Sequence, residues 1–570
     1  MPRRGAVLQR DSPVRRILWV SMRVVLINWA RFAEGAQSGG GVNGYCRQLA
    51  IELVRQGHEV AWLSSGLAYV PGAIPGSLQA CEVRRMDDCQ GVQIYEVFNS
   101  PVLAPGIFQF REPLGEVSSP ELEAELTRFF QLWKPDVVHL HNIEGLSCGV
   151  VDAARTAGPG WKGAAVVFSL HNYHTICPQV YLMHKGQTPC FDFDSGHACT
   201  QCVEGHDATL ERRIRAGISP DTQVAARPAS PPPPPAILTR VVGAVKRRLT
   251  APVPLPVLDP PMPGRGLSLP ADVEGSMPVA EAATPEPRPW SAEQFGQPSW
   301  RPLSNEIRPP ASTSRALNDF GVRRKAMVDM LSRCDRVLAV SAFVRRKFES
   351  MGVASHVLRE MPIGTRMVDL AQRTPWLGLP PSEPAAGRPV RLAFMGYNNT
   401  YKGLGMLLDA LDLLTPECQT RLELFIWAKD IEKDLARIES FRGRLAGVHV
   451  KGSYRFEDVP GMLSGIDAGL VPSVWWDNGP QTVMEYLACG VPVIGAALGG
   501  IVDLVRDGEN GLLFRGNDRF HLAATLARIG REPQILATLR QGVTTPRSIS
   551  EHAIAMEAEY RAMVAARKHL

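Results

Sequence analysis

The sequence predicts an α/β protein built from two Rossmann-like domains. Three observations carry this. A strand–Gly-rich turn–helix–strand pattern occurs near residues 23–63, and a second one starts at Val390. Between and after them, short apolar runs recur at the spacing of buried parallel strands, bounded by turn residues. Polar residues follow those runs at their carboxyl ends, where open α/β sheets bind ligands.

In chain order, residues 1–21 read as a basic irregular tail, with Met22 the expected true start. The N-terminal domain is expected over 22–206 and 315–370. Its first strand is Arg23-Val-Val-Leu-Ile-Asn28, followed by Gly39-Gly40-Gly41 and a helix carrying Cys46, Leu49, Ala50 and Leu53 on one side. Backbone N–H groups of a glycine turn at a helix start make a phosphate site. Residues 136–140 and 165–170 read as further strands, ending in His141-Asn142 and His171-Asn172. His139 and His141 read equally well as structural. Residues 336–340 form another strand, and the charges Arg345, Arg346 and Lys347 read as a solvated helix face.

Cys177, Cys190, Cys199 and Cys202 cluster in a loop over 177–202. The close pair Cys199-Thr-Gln-Cys202 has the spacing with which one turn offers two thiolates to zinc. A closed four-sulfur site would be structural; His184, His197 and His206 are substitute ligands, and free thiols, disulfides or an iron–sulfur cluster are the alternatives. Asp192-Phe-Asp194 reads as a chance acidic pair.

Residues 207–314 are Pro-rich, with Pro231 to Pro235 consecutive. Such a segment buries too little to fold and reads as a disordered insertion. Within it, Ile237, Leu238, Val241, Val242, Val245 and Leu249 share a helical face. That stretch, 237–249, reads equally as a membrane-surface helix or an ordinary amphipathic one. A linker is expected at 371–388, the C-terminal domain at 389–547 and a terminal helix in 548–570.

In the second domain, Gly396 and Lys402-Gly403 frame the first loop. The stretch 467–500 is the most ordered of all. A buried strand ends at Pro472, a polar loop follows, and Pro480 stands where a helix favours its first residue. Val483, Tyr486 and Leu487 give that helix an apolar side, Gly490 ends it, and Gly499-Gly500 closes the next strand. Asp477 and Glu485 are thereby delivered at the strand's carboxyl end.

This run resembles the C-terminal signature of retaining glycosyltransferases of family 4: two acids, a small residue and Gly, Pro492-Val493, then the Gly-Gly turn. The resemblance implies the GT-B fold, two Rossmann-like domains facing across a cleft, over roughly residues 22–205 and 320–568. It implies that Glu485 binds the ribose hydroxyls of a nucleotide-sugar and that Asp477, where the family usually has Glu, contacts the donor sugar. Lys402 matches the lysine that holds the diphosphate, the glycine run 39–41 faces that diphosphate, and His171 lies beside the sugar. Tyr397 departs from the family, which has Arg there. The implied function is transfer of a hexose-type sugar, with retention, to a glycan or glycolipid acceptor in bacterial-type surface polysaccharide synthesis, without a catalytic metal. A degenerate binding or scaffold module and, less well, a sugar-nucleotide epimerase are the rivals.

Composition is compatible with this. The 570 residues are 45% apolar and 21% charged, as in soluble globular proteins. A net charge of +5 does not suggest a nucleic-acid partner. Eleven cysteines without a convincing signal peptide suggest a reducing cytoplasm. No apolar run reaches the roughly 18 residues of a membrane span.

Overall fold

The computed structural model describes residues 21–37, 40–186, 188–202, 207–218, 303–307, 315–374 and 387–568. Its strands are β1 (Arg23–Ile27), β2 (Glu59–Ala68), β3 (Glu82–Arg85), β4 (Gln93–Phe98), β5 (Val137–Leu140), β6 (Ala165–Leu170), β7 (Met183–His184), β8 (Thr188–Pro189), β9 (Arg336–Ala339), β10 (Leu358–Glu360), β11 (Val390–Tyr397), β12 (Leu422–Lys429), β13 (Gly447–Lys451), β14 (Ala468–Val471), β15 (Val493–Ala496) and β16 (Gly511–Phe514).

Two sheets organise the molecule. The N-terminal one runs β10-β9-β6-β5-β1-β2-β4-β3, parallel except for the β3–β4 edge pair. The C-terminal one runs β13-β12-β11-β14-β15-β16, parallel throughout. Strands β5, β6, β14 and β15 are buried at every position, which is why they read as continuous apolar runs. In each sheet the strand order reverses beside the domain's first strand: between β1 and β5, and between β11 and β14. Loops leaving the carboxyl ends of strands at such a switch point diverge and leave a crevice. The Gly40-Gly41 turn and His141 flank one crevice, and Lys402 and Asp477 flank the other.

The terminal helix Ile549–Lys568 lies on the first domain. Ile549, Ala553, Met556, Tyr560 and Met563 are buried at spacings of three and four, a single apolar stripe. It packs on helix Gly40–Arg55 and on β6.

Three expectations need correction. Residues 207–218 and 303–307 are folded, although both fall inside the expected Pro-rich insertion. Helix Ala208–Arg215 is capped by the Asp207 side chain, and Arg215 donates to the carbonyls of Gly66 and Ala104 at 2.9 and 2.7 Å. Residues 303–307 dock on the C-terminal domain, where Leu303 N–H donates to Gly516 O at 2.9 Å. Lys347 does not share a solvated face with Arg345 and Arg346: it is 0% exposed. The 237–249 stretch, Gly39, His206, most of the linker and the tail before Ser21 lie outside the described residues. Among the described residues, no helix is long and apolar enough to cross a membrane.

Candidate active site

The C-terminal wall is set by two loops. After β11, Asn399 caps a short turn by accepting from Lys402 N–H at 3.0 Å. Gly403 then takes a left-handed conformation, φ +77°, and passes against the Pro472 carbonyl, where a Cβ would lie 1.8 Å from the oxygen. Only glycine fits there. The loop is thereby pressed onto the one that follows β14, and Lys402 Nζ meets Asp477 Oδ2 at 2.9 Å. The carboxylate side of this pair is buried, with Asp477 5% exposed. The Gly499-Gly500 turn closes over the same loop. A Cβ on Gly499 would lie 2.1 Å from Asp477 O, and Gly500 N–H donates to that carbonyl at 2.6 Å. These glycines are required for backbone packing that fixes Asp477.

Helix Gln481–Ala488 carries Glu485. It is locked to the sheet by Tyr486, whose hydroxyl donates to Ala393 O at 2.8 Å and whose ring fills the space over Gly469. Glu485 is half-buried beside Lys402 and Tyr454. Burial pushes its carboxyl up to about 7, only partly opposed by the Lys402 charge. Tyr397, in place of the expected Arg, lies near Lys402, and the Lys429 ammonium sits 5.8 Å from its ring centroid. Lys429 and Tyr454 carry no motif of their own, so sequence reading passed over them.

The N-terminal wall faces this one. Gln481 Nε2, at the start of the Glu485 helix, donates to Gly41 O at 2.8 Å, which brings the glycine run onto the C-terminal motif. His171 stands at the end of β6, its Nε2 3.0 Å from His141 Nδ1. His139 bonds Tyr560 and Ser169 at 2.6 and 2.8 Å, and Tyr45 bonds His552 at 2.6 Å. Cys46 completes the group: its sulfur and nitrogens of His141 and His171 lie mutually within 4.8 Å. Burial pulls His171 down to about 3 and His552 to about 4, and lowers His139 and His141 as well. These imidazoles are neutral at physiological pH. His171 is therefore equipped to exchange hydrogen bonds with a ligand and not to meet it with positive charge. The contributions of Tyr560 and His552 were invisible in sequence, because they arrive from the far end of the chain.

The cysteine loop forms the floor between the domains. β7 and β8 make a hairpin, and the four expected cysteines line one small cavity with His184 and Arg324. None of the eleven cysteines is paired in a disulfide. Among the described residues, the Cys46–His141–His171 group is the one whose ligand atoms already lie within 4.8 Å; the sulfurs of the loop are spread more widely. His197 Nε2 lies 3.0 Å from Ala316 O. Asp194 is occupied by Arg315, in keeping with a chance acidic pair.

Two parallel-rich Rossmann-like domains with their switch points opposed define the GT-B class. Comparison with known proteins agrees. The family described as Glycosyltransferase Family 4 matches residues 39–188, and that described as Glycosyl transferases group 1 matches residues 389–531. The chain belongs to the family 4 glycosyltransferases. A D-inositol 3-phosphate glycosyltransferase from Salinispora arenicola is 31% identical over 192 residues, 31% of this chain and 43% of that protein. A Salmonella typhimurium glycosyltransferase assigned by its name to colanic acid biosynthesis is 25% identical over 207 residues, 35% of this chain and 49% of its own length. Each match thus spans less than half of the relative. In fold, the catalytic domain of starch synthase IV from Arabidopsis thaliana superposes with a TM-score of 0.51 at 13% identity, over 96% of this chain and 100% of that one. Sucrose-phosphate synthase from Thermosynechococcus elongatus gives 0.50 at 16% identity, with the same coverage.

Proposed function

We propose that this protein transfers a hexose-type sugar, with retention, from a nucleotide-sugar to a glycan or glycolipid acceptor, in surface polysaccharide synthesis. The observation that carries this is the meeting of Lys402, Asp477 and Glu485 at the C-terminal switch point, opposite the glycine run and His171. Glu485 would accept from the ribose hydroxyls. The donor diphosphate would take Lys402 in competition with Asp477, freeing that carboxylate for a sugar hydroxyl. Lys402, with Lys429 near Tyr397 in place of the family's Arg, would stabilise the negative charge that grows on the leaving diphosphate. Neutral His171 would orient the sugar by hydrogen bonding. The colanic acid relative supports a polysaccharide acceptor.

Incubation with a panel of nucleotide-sugars, without acceptor, tests this. Slow release of free sugar and nucleoside diphosphate is expected, and Lys402→Ala should abolish it while leaving the protein folded. A thermal-shift response to nucleoside diphosphates should identify the base, because a ligand that binds only the folded state raises its apparent stability. A folded protein that neither binds nor hydrolyses any nucleotide-sugar would favour a non-catalytic scaffold.

A further inference from the structure

We propose that Cys177, Cys190, Cys199 and Cys202 hold one zinc ion, and that the loop so fixed clamps the two loops carrying Lys402 and Asp477.

The argument starts from charge. Arg324 is 5% exposed and lines the same cavity as the four cysteines, with its guanidinium 3.3 Å from the Phe193 ring centroid. Lys347 is fully buried, and its ammonium has no hydrogen-bond partner among the described residues; it sits 5.2 Å from the Trp476 ring centroid. The ionisable groups facing Arg324 are Cys199, Cys177, Cys190 and Arg323; those facing Lys347 are Cys190 and Arg324. Arg323 is already paired with the buried Glu116. No carboxylate among the described residues therefore compensates Arg324 or Lys347. Two buried cations without a counter-charge are costly. Among the described residues that face these two groups, the cysteines are the source of negative charge, and zinc lets four thiolates coexist. The step is 4 Cys–SH + Zn²⁺ → [Zn(S–Cys)₄]²⁻ + 4 H⁺, and the product carries the two negative charges that Arg324 and Lys347 lack.

A second observation concerns the sulfur of Cys202. It accepts from Gln179 Nε2 at 2.9 Å and from Lys185 N–H at 3.1 Å. The same sulfur directs its S–H to Met183 O at 3.6 Å; loss of that proton on metal binding would leave a thiolate with two N–H donors already aimed at it. Donors of this kind orient metal ligands from outside the coordination sphere.

The loop between Cys177 and Cys199 reaches the active-site loops directly. Tyr181 stacks on Tyr401, ring centroids 4.4 Å apart, and meets Trp475 edge-on at 5.1 Å. Phe191 meets Trp476 edge-on at 5.0 Å, and the Tyr173 hydroxyl donates to Trp476 O at 2.9 Å. Tyr401 precedes Lys402, and Trp476 precedes Asp477. A rigid cysteine loop therefore holds both loops from the opposite domain.

Elemental analysis of the full chain, purified without added metal, should find about one zinc per chain, the stoichiometry of a closed site. After exchange, cobalt should show the visible absorption of a tetrahedral thiolate site. Lys347→Met keeps the side-chain length and removes the charge; it should weaken zinc roughly ten- to a hundredfold in competition with a chelator, the usual cost of losing an outer partner. Stripping the metal should reduce the near-UV dichroism of the Tyr181–Tyr401–Trp475 cluster while far-UV dichroism persists, and zinc should restore it. Iron–sulfur absorption, four reactive thiols in the purified protein, or unchanged zinc affinity in Lys347→Met would overturn the assignment. Unchanged near-UV dichroism on stripping would overturn the clamp. None of these readouts requires a nucleotide-sugar, so they stand or fall separately from the proposed reaction.

Discussion

Glu485 gives the sharpest test of the proposed donor site, through pH. Its carboxyl is pushed up to about 7 by burial, well above its ordinary value of 4.5. In the ligand-free protein a raised carboxyl favours the protonated form. Its contribution to stability is therefore full below about 4.5 and is lost as pH rises through about 7. Donor binding has the opposite sense. Ribose hydroxyls donate, so they need the carboxylate, and binding must remove the proton wherever it is present. Between about pH 8.5 and about pH 5.5, affinity should fall about thirtyfold, or about 2 kcal/mol, since each pH unit below the pKa costs about 1.4 kcal/mol. Glu485→Gln keeps the shape and removes the titration. It should bind roughly ten- to a hundredfold more weakly at the alkaline end, because bonds to charged acceptors contribute about 1.5–3 kcal/mol. Its affinity should change little with pH. Calorimetric titration with an intact nucleotide-sugar, whose diphosphate does not titrate in this range, measures both quantities. If Glu485→Gln binds as tightly as the unmodified protein and follows the same pH profile, the ribose assignment is wrong. Glu485 would then be a half-buried helix charge with no part in recognition.

Other outcomes follow from the same geometry. Asp477→Asn removes the partner of Lys402 but not Lys402 itself, so affinity for a free nucleoside diphosphate should hold or rise while sugar transfer falls; calorimetry beside a transfer assay separates the two. Gly403→Ala forces a side chain into a left-handed position against the Pro472 carbonyl; the conformation alone costs about 1–2 kcal/mol, and nucleoside diphosphate binding should weaken as the Lys402 loop is displaced. Deleting residues 219–302 with a short flexible linker should leave stability to denaturant unchanged. Extending the deletion through 307 removes the Leu303 bond to Gly516 at 2.9 Å, the Asn305 bonds to Gly499 at 2.7 and 3.1 Å and the Trp476-to-Ser304 bond at 3.1 Å; the loss should be about 4 kcal/mol at about 1 kcal/mol per bond.

How much of this was legible depends on where each residue's partners lie. Strands β1, β5, β6, β11 and β14 were legible because a parallel strand buried on both faces must be apolar throughout. The edge pair escaped notice, since β3 is Glu-Val-Arg-Arg and exposes polar residues on both sides. Lys402, Asp477 and Glu485 were legible because loops and helix starts at a switch point impose a fixed order of glycines, prolines and acids. Lys347 was misread because a run of Arg-Arg-Lys looks solvated. Its burial is dictated by Trp476 and Cys190, which no local pattern announces. Helix Ala208–Arg215 hid in Pro-rich surroundings because it is held by its arginines on distant backbone carbonyls and not by an apolar face.

Several of the residues that escaped sequence reading tie distant parts of the chain together. Tyr560 bonds His139 across 421 residues of sequence, and Tyr173 bonds the Trp476 carbonyl across 303. Asn305 reaches the Gly499-Gly500 turn from the far side of the Pro-rich segment. A two-domain cleft in this class of fold must set its spacing to the length of a nucleotide-sugar, and no single Rossmann pattern encodes that distance. Here it is encoded by the terminal helix and the cysteine loop, each anchored in one domain and reaching the other. Substitutions at these contacts should therefore alter the fit of the whole donor before they alter affinity for its nucleotide part. That distinction separates a residue that spaces the domains from one, such as Glu485, that touches the nucleotide itself.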